Sequence, residues 1–311
     1  MSLLTFRPLT FERIWGGEAL RTLFGRAIPA GKPIGESWEL VDRPEAVSPV
    51  EGAEGKTLHD LWRERRVELF GRRAPETERF PILIKLLDCR ETLSVQVHPP
   101  AALAAQLGGE PKTELWYFLH TEPGAKIYAG LKKGATAAAF RAAIGTPGLA
   151  ALLHELPTRP GEAMFLPSGR VHAIGAGNVI LEIQQNSDTT YRVDDWGRVD
   201  AAGKPRELHV EQALQSIRFD DRAPVFVQPH GEKVLACPFF AVHRVYLYPG
   251  EFRTFHPNRE TFHYHFVADG KAKVGDREFG LGGGWIMPAS HAPYEIEPAG
   301  EGLELVTVSF A

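Results

Sequence analysis

LSVQVHP, residues 93–99, alternates apolar and polar side chains with the two-residue period of a β-strand. On a strand over 92–98, Val95 and Val97 face one way while Ser94, Gln96 and His98 face the other. Pro99 and Pro100 stop that strand and open a short helix, AALAAQL, closed by Gly108 and Gly109. Upstream, PILIKLLD at 81–88 is a continuous apolar run expected to be a buried strand. Downstream, TELWYFLH at 113–120 resumes β structure with aromatic and aliphatic residues suited to a pleated surface.

Working outward, Thr57 is placed to cap a helix, LHDLWRERRVELF, that ends at Gly71. Residues 136–155 read as a helical interlude, with Thr136 capping one helix and Thr146–Pro147 starting the next. Strands return with EAMFLP at 162–167 and NVILEIQQ at 178–185, joined by the turn SGR, and another helix is expected near 208–217. RAPVF, at 222–226, marks a boundary, beyond which the chain is almost wholly strand and turn, including VHRVYLY, FHYHFVADG and WIMPASHAPYEI. Closely spaced strands punctuated by 31 Gly and 24 Pro point to a mainly β fold of two double-sheet jelly-roll units. Residues 1–221 form the first, with helical insertions at about 57–70 and 136–155, and residues 222–311 form the second.

Composition narrows the function. A net charge of −4 argues against a nucleic-acid surface, which needs a basic stripe. No apolar stretch approaches the roughly 20 residues of a membrane-spanning helix. Cys89 and Cys237 form no paired motif, so both are expected as reduced thiols in a cytoplasmic protein. No leader segment and no obligate protein partner are evident.

Four residues form a candidate metal set. Gln96 and His98 share a strand face, and Glu114 lies near the start of the next strand. His172 follows a turn shaped by Pro167 and Gly169. A lone half-buried histidine is usually satisfied by a carbonyl or water, and a lone glutamate by a surface ion pair. Four metal-competent side chains on strand-compatible spacings are harder to explain in that way. Such borderline ligands suit Zn²⁺ and also admit Mn²⁺, Co²⁺ or Fe²⁺. The Pro-x-Gly-x-x-His spacing of residues 167–172 resembles the second motif of the cupins. The histidine–glutamate pair across two strands echoes the first, with Gln96 in place of its first histidine.

LSVQVHP, KTELWYFL (112–119), SGRVHAIGAGN (168–178) and LEIQQNSDTTYRVDDWGR (181–198) together resemble the type I mannose-6-phosphate isomerases, in family order over roughly residues 10–200. The resemblance implies two cupin-like units, the first catalytic, and one zinc ion held by Gln96, His98, Glu114 and His172. It implies an aldose–ketose isomerase interconverting mannose 6-phosphate and fructose 6-phosphate, with Arg192 catalytic and Lys112 in the active site. Glu182 is the expected proton-transferring base. Two departures bear on substrate fit: PPAAL follows His98 where short members commonly carry acidic residues, and the loop from Leu107 to Lys112 is brief.

No phosphate-cradling glycine loop of the G-x-x-x-x-G-K type occurs, so side chains must hold the anion. Ser94, on the Gln96 face, and Arg198, able to fork onto a phosphate, are the candidates. His263, His265 and His291 offer a rival centre, but the position five after Pro288 is Pro293, and a degenerate second unit is the better reading. Two other functions compete: a sugar-binding cupin without activity, and a cupin dioxygenase with iron on a two-histidine, one-carboxylate triad. Lys112, Glu182 and Arg192 weigh against the first, and Gln96 as a fourth ligand against the second.

Overall fold

The computed structural model describes residues 3–199 and 202–311. Its architecture is mostly β, as the strand spacing predicts, with three main antiparallel sheets. The first runs Leu9–Gly17, Ile34–Leu40, Ile82–Cys89, Asn178–Gln185, Glu114–Thr121, Ala163–Leu166. The second runs Tyr191–Asp194, Val95–Val97, His172–Ile174, Lys126–Leu131, Leu153–Pro157. These two face each other. Leu87, Trp116, Phe118 and Ile180 of the first pack with Ile127, Ala129 and Ile174 of the second in one buried cluster.

The first sheet is buried on both faces, which is why PILIKLLD carries apolar residues almost without interruption. Ile82, Ile84 and Leu86 turn outward with Leu115, Leu181 and Ile183. There they meet the third sheet through Val242, Tyr264, Phe266, Val306 and Val308, and the helix Leu58–Phe70 through Leu61, Trp62 and Phe70. Trp62, Phe70, Phe80, Phe262 and Phe310 form an edge-to-face aromatic knot at this junction, with ring centroids 4.9–6.2 Å apart. Each such side chain contributes roughly 1.5–3 kcal/mol by burial. The outer face of the second sheet is covered instead by helices, with Phe140, Leu149 and Ala213 packed on Val95, Val97 and Val193.

The helix at 58–70 starts as its sequence predicts. The Asp60 amide donates to Thr57 Oγ1 and the Thr57 amide donates to the Asp60 carboxylate, a reciprocal capping box. It ends at Gly71, whose φ of +92° and contact with the Glu260 carbonyl leave no room for a Cβ.

Several elements differ from their sequence reading. The strand at 92–98 shortens to Val95–Val97, and the helix after Pro100 spans only Ala101–Ala104. The helical interlude ends at Leu152, three residues before the expected 155, because Leu153–Pro157 pairs with Lys126–Leu131 as an edge strand. A local pattern of Leu and Ala does not register that long-range pairing. Pro147 sits at the cap of Gly148–Leu152 and not at its first turn.

Candidate metal centre

Gln96 and His172 are directly opposite in adjacent antiparallel strands, so their side chains leave the sheet on one face. Arg192 lies opposite Gln96 on its other side. His98 follows immediately after the strand. The turn before His172 is stitched to it, since the Gly169 amide donates to the His98 carbonyl at 2.8 Å. Gly169 has a φ of +92°, and a Cβ there would meet Arg218 Cγ at 2.9 Å. Glu114 enters from the facing sheet, where it pairs with Gln184 and Leu166.

The three side chains meet. His98 Nε2 lies 3.2 Å from Glu114 Oε1, and His172 Nε2 lies 3.9 Å from Glu114 Oε2. The ligand atoms of His98, Glu114 and His172 all fall within 4.8 Å of one another, and each residue is 1% exposed. The tautomers follow from the outer nitrogens. His98 Nδ1–H donates to the Thr189 carbonyl at 2.7 Å and His172 Nδ1–H to the Arg170 carbonyl at 2.9 Å. Both Nε2 lone pairs are thereby turned toward the carboxylate.

That arrangement places acceptor against acceptor. His98 Nε2 and both oxygens of Glu114 are buried without a hydrogen-bond partner. The Lys112 ammonium forms an ion pair with Glu114 Oε1 at 2.8 Å and leaves Oε2 and the two imidazole lone pairs to one another. Buried lone pairs converging in this way are costly unless a cation sits among them. Gln96 completes the set: its Nε2 stands 3.2 Å from His172 Nε2, and its Oε1 accepts from Ser94 Oγ at 3.2 Å. Turning the amide by 180° exchanges the two atoms, presents the oxygen to the centre and lets Ser94 Oγ accept. Two imidazoles, a carboxylate and an amide oxygen fit a divalent cation.

Burial and charge tune the same groups. Burial, joined by the neighbouring His98, pushes His172 down to about 3, and burial lowers His98 as well. Both imidazoles are therefore neutral donors at neutral pH. Burial raises Glu114, but attraction to its cationic surroundings, led by the Lys112 ammonium, outweighs it and holds the carboxyl well below its usual range. Burial lowers Lys112, and the attraction of Glu114 and Glu182 more than reverses this, keeping the ammonium charged. Glu182 goes the other way, raised by burial and by repulsion from Glu114. Its Oε1 accepts from Trp116 Nε1 at 2.9 Å, and its Oε2 lies 3.7 Å from Lys85.

A cavity of about 390 Å³ opens beside the centre, lined by Ser94, Gln96, Lys112, Glu182, Arg192 and, on its walls, Arg13, Glu36, Lys85, Asp188 and Arg206. Five cationic side chains face three carboxylates there, a balance that favours an anion. The structure thus brings Gln96, His98, Glu114, His172, Lys112, Glu182, Arg192 and Ser94 to one place. It does not bring Arg198. That guanidinium donates to the Thr92 carbonyl at 2.9 Å and to Asp195 at 2.6 Å, outside the cavity. Arg206 stands in the cavity wall instead, held by Asp195. Lys85, Glu36, Arg13 and Arg206 were missed in the sequence because they come from distant strands and loops with no shared spacing.

The C-terminal histidines are otherwise engaged. His265 lies between Thr307 Oγ1 at 2.9 Å and the Tyr294 hydroxyl at 2.6 Å, and His263 Nδ1 is 3.0 Å from the same hydroxyl. His291 Nδ1 lies 2.6 Å from the Ala292 carbonyl. Among the described residues, His98, Glu114 and His172 are the cluster with metal-compatible spacing.

Facing antiparallel sheets around a buried His–Glu–His centre define a mostly β protein equipped to hold a metal. A model of the phosphomannose isomerase type I catalytic domain matches residues 3–114. The probable mannose-6-phosphate isomerase GmuF of Bacillus subtilis is 33% identical over 306 residues, spanning 94% of this chain and 96% of that protein. Mannose-6-phosphate isomerase ManA of the same organism is 42% identical over 218 residues, 69% of this chain and 67% of that one. The crystal structure of a mannose 6-phosphate isomerase from Bacillus subtilis matches with a TM-score of 0.87 at 32% identity, covering 100% of both chains. The chain belongs to the type I mannose-6-phosphate isomerase family.

Proposed function

We propose that this protein is a zinc-dependent isomerase interconverting mannose 6-phosphate and fructose 6-phosphate through an enediolate. The observation that carries the reading is the meeting of two imidazole lone pairs and a buried carboxylate, one oxygen of it ion-paired with Lys112, at the edge of a cationic cavity. Gln96, His98, Glu114 and His172 hold one cation per chain, and the borderline donor set favours zinc. When bound, the cation supplies electrophilic polarisation of the sugar oxygens and stabilises developing negative charge. The reaction itself moves a proton between C2 and C1.

Glu182 carries that proton. Its carboxyl is raised by burial and by Glu114, the direction that suits a group that must both take and return a proton. Trp116 fixes the orientation of one oxygen, leaving the other toward Lys85 and the cavity. Lys112, kept charged beside Glu114, orients and can protonate a sugar oxygen, and Arg192 lowers the energy of the enediolate. Ser94 and Arg206 anchor the phosphate, Arg206 taking the part that spacing suggested for Arg198. Two unpaired cysteines agree with a reducing, cytoplasmic setting.

Metal analysis of the purified protein, paired with a coupled assay for mannose 6-phosphate, tests the reading. Stoichiometric zinc, turnover lost on chelation and recovered on adding zinc are the expected results. Metal without turnover would leave a sugar-binding protein, and iron with oxygen consumption a dioxygenase.

A further inference from the structure

Gln96 belongs to a strand of only three residues, and residues 90–94 before it lie in neither sheet. The strand itself is paired on both sides, with His172 and with Arg192, but the chain that leads into it is held from elsewhere. The turn Asp194–Arg198 holds that chain from the other side. Trp196 Nε1–H donates to the Leu93 carbonyl at 2.7 Å, and Arg198 Nη1 donates to the Thr92 carbonyl at 2.9 Å. Two consecutive carbonyls are thus gripped by side chains two residues apart. The Leu93 amide meanwhile donates to the Ile174 carbonyl at 2.8 Å, on the strand that carries His172. Ser94 comes next, and its hydroxyl lies 3.2 Å from the side-chain amide of Gln96, where it accepts from the amide NH₂ once the oxygen faces the centre.

The gripping turn is itself held tightly. Trp196 has a φ of +59°, a left-handed conformation that a bulky side chain adopts only where its surroundings impose it. Its amide donates to Asp194 Oδ1 at 2.7 Å, and Arg198 Nη2 donates to Asp195 Oδ1 at 2.6 Å. Asp195 is fixed in turn by Arg206 Nε at 2.7 Å. A strained residue whose one side-chain donor ends on the backbone of Leu93, immediately before Ser94, is placed to position that backbone.

We propose that Trp196 and Arg198 form a clip that sets the position of Gln96 in the metal centre, and so the affinity of the chain for its cation. Both are positioning residues, acting through Thr92, Leu93 and Ser94. The inference rests on the reading of Gln96 as a ligand. Outer partners that orient metal ligands change affinity by roughly 10–100-fold when lost.

The test uses metal-free full-length protein titrated with zinc against a chelating dye. Trp196→Phe and Arg198→Met should each weaken zinc binding about 10-fold, and Arg198→Lys, which keeps a donor for the Thr92 carbonyl, should recover most of that loss. Thr57→Ala, a comparable loss of stability far from the centre, should leave the zinc dissociation constant unchanged. Gln96→Leu is measured alongside. If it binds zinc like the wild type, Gln96 is no ligand and the clip falls with it. If it binds weakly while Trp196→Phe and Arg198→Met match the wild type, the clip alone is overturned. Should Arg198→Met fail to fold, Trp196→Phe decides.

Discussion

Replacing Glu182 by glutamine is the sharpest test of the chemistry, because it removes a proton acceptor and little else. The amide oxygen can still accept from Trp116 Nε1, which stands 2.9 Å from the present carboxylate, so the strand keeps its anchorage. Lys85 loses a partner at 3.7 Å, but keeps Asp188 at 4.0 Å and lies 4.8 Å from the Trp38 ring centroid. The folding cost therefore stays below the roughly 3–5 kcal/mol of a buried charge stripped of its partner. Catalysis loses more. A positioned general base contributes about 10²–10⁴-fold, and the middle of that range, 10³, raises the barrier by about 4 kcal/mol. In a coupled isomerase assay kcat should fall about 1000-fold, and incorporation of solvent deuterium at C2 should fall with it, while zinc content stays stoichiometric. A fully zinc-loaded variant retaining kcat within about 10-fold of the wild type would refute the assignment, since that is less than a base supplies.

Arg206→Ala should raise KM for mannose 6-phosphate about 10-fold or more with a smaller effect on kcat, whereas Arg198→Ala should leave KM nearly unchanged in zinc-saturated protein; steady-state kinetics separates them. His172 is pushed down to about 3, so between its ordinary value near 6.5 and that figure the unfolded chain binds a proton that the folded one does not. Its contribution is complete above about 6.5 and is lost as pH falls, so metal-free protein should weaken below that pH by up to about 1.4 kcal/mol per unit, a slope that His172→Gln should flatten in urea titrations. Glu182, raised in the fold, contributes with the opposite sign, losing stability as pH climbs through its folded value. Thr57→Ala breaks a capping box and should cost about 1 kcal/mol, read as a lower urea midpoint.

The site was legible where chemistry follows local period. Gln96 and His98, two apart in an extended run that is strand only as far as Val97, were read as sharing a face, and the turn at Pro167–Gly169 as aiming His172. The helix at 58–70 was equally open to reading, because Thr57 announces its start and Gly71 its end. What escaped was long-range pairing. Nothing near Leu153 announces that Lys126–Leu131 will recruit it into a sheet, and nothing near Lys85 announces that Glu182 will lie across from it. Arg198 shows the same limit. It lies six positions after Arg192, yet past a left-handed Trp196 its guanidinium meets the Thr92 carbonyl and Asp195, and Arg206 fills the wall.

The aromatic knot of Trp62, Phe70, Phe80, Phe262 and Phe310 has a consequence for the C-terminal sheet. Glu114 and Glu182 sit on strands whose reverse sides, through Leu115, Leu181 and Ile183, lean on Tyr264, Val306 and Val308. The C-terminal β unit is thus a buttress for the floor on which the carboxylates stand. Cutting it away would bare a hydrocarbon wall to water and let that floor sag.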